Sequence, residues 1–123
     1  MDGEVEPRVL IIGLDPQRVP GPWDPTPVAR GIAAGLELFA AAGIGAQICL
    51  VGLDGSDDIQ TVVHRALCSR AWEVVVVGRG IRDDLELFES VLNLVHHWAP
   101  QAAIALNATP EDTFDAASRW LRR

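Results

Sequence analysis

Four short apolar runs punctuate the chain, at residues 9–13, 46–52, 74–78 and 103–106. The first three show no alternation with polar residues, the pattern of strands covered on both faces in a parallel sheet. The fourth is Ala-rich and predicts a sheet edge. After each run the spacing of apolar residues becomes helical. Thr26-Pro27 offers an N-cap and an N1 proline for a helix ending near Gly43. Ser56 or Asp57 can cap a second helix that runs to about Ala71, and Asp83 or Asp84 opens a third that stops before Pro100. Thr109-Pro110-Glu111-Asp112 is a capping-box variant that opens the last.

Strands that alternate with helices build βαβ units, whose crossovers are right-handed almost without exception. The expected fold is therefore α/β: a four-stranded parallel sheet with helices on both faces. Its preferred strand order is 2-1-3-4, a flavodoxin-like arrangement, with 3-2-1-4 as the competing order. No repeat or linker interrupts the pattern, so residues 1–123 are expected to form a single domain.

Composition narrows the chemistry. Nearly half of the residues (49%) are apolar and four are Trp, which argues against disorder. The net charge of −7 disfavours phosphate backbones and anionic lipid surfaces, so no nucleic acid or membrane partner is expected. All ten basic residues other than His are Arg; Lys and Tyr are absent. A P-loop, a Schiff-base nucleophile and a Tyr general acid are excluded by that absence. Cys49 lies in an apolar run and Cys68 on a helix, without metal or C-x-x-C spacing, so both read as small buried hydrophobes suited to a reducing cytoplasm. The acidic start from Met1 to Pro7 has no hydrophobic signal core, so no secretion signal is expected. The longest apolar stretch, 38–53, holds Gly43, Gly45 and Gln47 and reads as helix end, turn and strand rather than a membrane span.

One long loop, residues 14–25, contains Pro16, Pro20, Pro22, Pro25 and Trp23, which predicts a stiff, extended, non-helical segment. It is either a functional lid or a cover for the end of the sheet anchored by Trp23. In open α/β sheets ligands bind outside the strand carboxyl ends, where the strand order reverses. Under order 2-1-3-4 that crevice lies between the first and third strands. Asp15 and Gln17 reach it from the first loop, and Gly78-Arg79-Gly80-Ile81-Arg82-Asp83 from the third. Asn107 flanks it and Asp54 lies at the outer edge.

The run from Gly78 to Asp83 is the most site-like in the chain. Two glycines permit close backbone approach, the following helix start presents free N–H groups, and Arg79 and Arg82 add fixed positive charge. Together they suit a carboxylate or phosphate. The competing reading is a glycine turn whose arginines pair with Asp15, Asp83 or Asp84. The candidate ligand-binding set is Asp15, Gln17, Trp23, Gly78, Arg79, Gly80, Arg82 and Asn107, with Asp15 the candidate general base if the domain is an enzyme. No metal site and no cofactor are expected. A phosphoacceptor receiver would need Asp where Gly78 stands, and a Lys. His96 and His97 sit near a helix C-terminus and point about 100° apart, and His64 lies in mid-helix, so helix-end or surface roles suit them better than metal binding.

On the third helix Leu85, Phe88, Leu92 and Val95 form one apolar face, which Leu87, Val91, Leu94 and Trp98 extend. Either a neighbouring helix covers the extra stripe or it forms a homodimer interface through Phe88, Val91, Leu94 and Trp98. Gly31, Ala34 and Gly35 give the first helix a small-residue face suited to close helix–sheet packing.

The run Gly78-Arg79-Gly80-Ile81-Arg82 stands with Leu87-Phe88-Glu89, Asn93, His96, Asn107-x-x-Pro110-x-Asp112-Thr113 and Arg119-Trp120. With Gly13-Leu14-Asp15-Pro16 at the first strand's end, this set resembles a family of small bacterial α/β proteins of uncharacterised activity. The resemblance implies the fold and supplies no catalytic residue. Two functions follow as expectations. The first is a cytoplasmic, homodimeric module binding a small anion or a protein partner. The second is a small enzyme with Asp15 as base and Arg79 or Arg82 holding an anionic substrate.

Overall fold

The computed structural model describes residues 6–122; Met1 to Val5, most of the acidic start considered for a signal, lie outside the described residues. Strands β1 (Pro7–Leu14), β2 (Gly45–Val51), β3 (Val74–Val77) and β4 (Ala103–Leu106) form one sheet in the order β2-β1-β3-β4. Every pairing is parallel, which confirms the preferred 2-1-3-4 order. The two central strands bury both faces: Val9, Leu10 and Ile12 of β1 and all four valines of β3 are fully enclosed. That double burial is why their sequences lack polar alternation. The apolar run of β2 looks the same in sequence, yet β2 is an edge strand and most of it is only half-buried.

Helices α1 (Thr26–Ala41) and α5 (Thr113–Ser118) cover one face, where Phe39 meets Phe114 edge-on over Val9, Ile11, Val74 and Val76. Helices α2 (Ile59–Cys68) and α4 (Leu85–Trp98) cover the other, over Leu10, Ile12, Val75 and Val77. Trp72 is the largest side chain buried there, and its indole N–H donates to the Ala66 carbonyl, so the ring is enclosed without an orphaned donor. No helix is long and apolar enough to cross a membrane among the described residues.

The helix starts differ in detail from the sequence expectation. Asp58, not Ser56 or Asp57, caps α2 by accepting the Thr61 N–H, because Asp57 is engaged elsewhere. Thr26 is the first residue of α1 rather than its cap; Asp24 accepts the Thr26 N–H instead. Asp84 caps α4 as one of the two expected residues. The 14–25 loop is not wholly extended: Asp15 caps a 3-10 turn over Pro16–Arg18, with Pro at its first position. Also not foreseen are the single-turn helix α3 (Arg79–Arg82) directly after β3 and a 3-10 turn over Pro110–Asp112, which takes the Thr109 capping box ahead of α5.

Candidate functional site

The carboxyl ends of β1 and β3 are bound together before any side chain is considered. The Gly78 N–H donates to the Ile12 carbonyl at 2.8 Å, and Gly80 packs on Leu14, whose Cδ1 would lie 3.0 Å from any Cβ at that position. Neither glycine has positive φ, so the pair serves close approach rather than a left-handed turn. Asn107, buried at the end of β4, fixes the start of α3. Its Oδ1 accepts the Arg79 backbone N–H at 2.9 Å, and its Nδ2 donates to the Thr113 hydroxyl at 2.9 Å. Thr113 in turn donates to the Pro110 carbonyl, and Arg82 donates to the Asn107 carbonyl. The Asn107 amide is therefore consumed by the fold.

Beside this frame lies a cleft of about 390 Å³ between α1, the sheet and the loops after β1, β3 and β4. Val28, Ile32 and Leu36 of α1 form one wall, and Ile11, Ile48 and Leu50 of the sheet face them. The half-buried state of Ile48 and Leu50 follows from this gap beside an edge strand. Pro16, Val19 and Trp23 close one end, where the Trp23 indole N–H is held by the Val19 carbonyl. Gly78, Arg79, Gly80 and Asp83 form the other end with Asn107 and Thr109. Among the described residues Arg79 is the only cationic side chain in the lining. It sits 3.8 Å from Asp83 with both side chains largely exposed, an ion pair that solvent screens and that leaves the guanidinium free to turn.

Of the candidate residues, Trp23, Gly78, Arg79, Gly80 and Asn107 thus line one cleft, whereas Asp15, Gln17 and Arg82 do not. Asp15 belongs to a second cluster at the outer end of the sheet. Its Oδ1 accepts the Gln17 N–H and its Oδ2 the Arg18 Nε–H, each at 2.9 Å. The hydrogen bond from Arg18, helped by the Gln17 N–H, holds the Asp15 carboxyl below its ordinary range. Arg18 also donates to Asp57 and Ser56, and its guanidinium is raised by the Asp15 and Asp57 carboxylates. Asp57 further accepts the Gly52 N–H at 2.8 Å. The Ser56 hydroxyl and N–H both bond Asp54, which lowers that carboxyl as well. Arg18 supplies the positive charge these carboxylates need. Among the described residues no group of three His, Cys, Asp or Glu is placed to hold a metal ion.

On the opposite face α2 packs along α4. The Trp98 ring lies tilted against His64, with centroids 4.2 Å apart, and edge-on to His97 at 4.6 Å, a cluster at the end of the sheet away from the cleft. Val91 is enclosed in the protomer's own core, with Phe88 and Leu94 half-buried against it, while Trp98 stays 44% exposed. Cys49 is buried as expected, whereas Cys68 is exposed, because it lies about 100° round α2 from the buried Leu67.

Two parts of the site have no counterpart in the sequence reading. The apolar walls were hidden because Val28, Ile32 and Leu36 carry no chemistry that marks a site in the sequence. Arg18 was hidden because the partner that makes it a tie between two loops, Asp57, lies 39 residues away. No family model, curated protein or solved structure matches this chain, so its geometry alone speaks for the site.

Proposed function

We propose that this domain binds a small, predominantly apolar acid in the cleft at the strand carboxyl ends, with the acid group at Arg79. The cleft itself carries the reading: about 390 Å³, apolar walls on two sides, and one cation at its rim. Ligand sites commonly combine such a volume with mostly apolar walls and few polar groups. Apolar burial at roughly 25 cal/mol per Å² supplies most of the affinity. Arg79 supplies orientation, and a bare phosphate or sulfate would leave the walls unused. Catalysis with Asp15 as general base is less well supported, because Arg18 occupies that carboxylate and lowers its basicity. The proposal takes the domain as cytoplasmic, in keeping with two free thiols, and as a homodimer.

Octanoate and octanol test the reading, since they share a tail and differ in head group. Thermal unfolding should show both ligands raising Tm, octanoate more; ligand at 100 Kd adds about 2.7 kcal/mol. Arg79→Gln should level the two, and Ile32→Trp, which fills the space between α1 and the sheet, should remove both responses. If neither ligand raises Tm at millimolar concentration, the proposal fails.

A further inference from the structure

We propose that the β4 edge is the docking surface for a second copy of this chain, the two β4 strands pairing antiparallel about a two-fold axis at Ala105. Among the described residues β4 has a partner on one side only, β3, in unbroken register. The Ala103 N–H points inward, to the Glu73 carbonyl at 3.0 Å, so alternation turns the backbone groups of Ile104 and Leu106 outward. The Leu106 carbonyl indeed meets the Arg119 guanidinium on the outer side.

Edge strands are usually blunted by a charge, a proline or a bulge, and Ala103-Ile104-Ala105-Leu106 has none of these. Ile104 and Leu106 are each 37% exposed on the same face. A two-fold at Ala105 sets Ile104 opposite Leu106 of the second copy, and Leu106 opposite its Ile104. In that register each such pair exchanges both N–H and carbonyl bonds. On this face α4 turns Ser90, Leu94 and Trp98 toward α2, as the Gln60–Ser90 hydrogen bond and the His64–Trp98 ring contact require. Its opposite flank, with Phe88 and Leu92, lies toward β4 by helical spacing, because α2 packs over β1 and β2. The exposed edge and this half-buried flank thus lie on the same side of the sheet.

Charge complementarity selects a second copy over any other strand. Asp115 and Arg119 stand one turn apart on α5, both exposed, and the reach of Arg119 to Leu106 places them on the edge side. Antiparallel pairing of β4 also makes the two α5 helices antiparallel across the axis. Asp115 of each copy then faces Arg119 of the other, and Arg119 exchanges the Leu106 carbonyl for that carboxylate.

Sedimentation equilibrium of the full chain tests the proposal, with circular dichroism to confirm that each variant is folded. The wild type should dimerise, Asp115→Arg and Arg119→Asp should each weaken the dimer by roughly tenfold or more, and the double exchange should restore it. Ile104→Lys, at a position already open to solvent, should give a folded monomer. A wild type that stays monomeric to millimolar concentration overturns the proposal, as does a dimer indifferent to Ile104→Lys and the single charge reversals. Failure of the double exchange to recover association overturns the two-fold register.

Discussion

Arg18 Nη1 lies 2.6 Å from Asp57 Oδ2, an ion pair that ties the turn after β1 to the segment before α2. The same guanidinium holds Asp15, and Asp57 also takes the Gly52 N–H, so one side chain fastens two loops at the outer end of the sheet. About a third of Arg18 is exposed, so solvent screens part of the interaction. Arg18→Met should lower the urea midpoint, by less than breaking a fully buried pair would. Urea unfolding measures it, and an unchanged midpoint would mark the network as surface decoration.

Acid should reveal the same cluster. Asp15 and Asp54 have folded-state values below their ordinary 3.8, and Glu73 is likewise lowered, first by the Arg122 N–H and also by Arg8. A carboxyl lowered by folding contributes stability that is complete above its unfolded value and is lost as pH falls through the folded one. The expected result is a Tm that is flat from neutrality to about pH 5 and falls steadily below it. In Arg18→Met the part of the fall due to Asp15 should shrink. An acid limb with the same slope in the variant would mean that other carboxyls carry it.

Asn107 fills a buried position with a polar amide because the first N–H of α3 and the Thr113 hydroxyl both need it. Asn107→Leu should cost about 1–3 kcal/mol by leaving the Arg79 N–H unpaired and taking a donor from the Thr113 hydroxyl, which keeps its bond to the Pro110 carbonyl. Loss of the Arg79 anchor should also erase the preference of the cleft for octanoate over octanol. A stable variant that keeps that preference would show that α3 is held by other contacts.

Gly35 offers a test whose sign is informative. Helix propensity alone would make Gly35→Ala stabilising by up to about 1 kcal/mol. In the fold a Cβ there would lie 2.5 Å from the Pro110 carbonyl oxygen, a backbone atom that cannot swing aside. A net loss of about 1–3 kcal/mol is expected, read by urea unfolding against Ala33→Gly, at an exposed position on the same helix, as a propensity control. A gain would mean that α1 can lift away from the turn at Pro110.

These residues also show what the sequence could and could not disclose. β3 announces itself because both of its faces are buried, and no polar residue interrupts Val74 to Val77. The strand order followed from chain logic rather than from any residue, and the structure agrees with it. Asp57 illustrates the limit: as a local cap for α2 it is plausible, and only the distant Arg18 draws it away and leaves the role to Asp58. Asp15 is held away from the cleft by nearer groups, Arg18 three residues on and the Gln17 N–H. Ile48 and Leu50 look like core in sequence, since a run of apolar residues is the same whether a cavity or a side chain stands opposite.

The amide of Asn107 has a mechanical consequence. The last residue of the edge region holds the first N–H of α3, and Arg79 is the residue that supplies it. The rim of the cleft and the outermost strand are therefore a single lever. A tilt of β4 against β3 would be handed to the Arg79 backbone directly, through one hydrogen bond, without repacking the core between them.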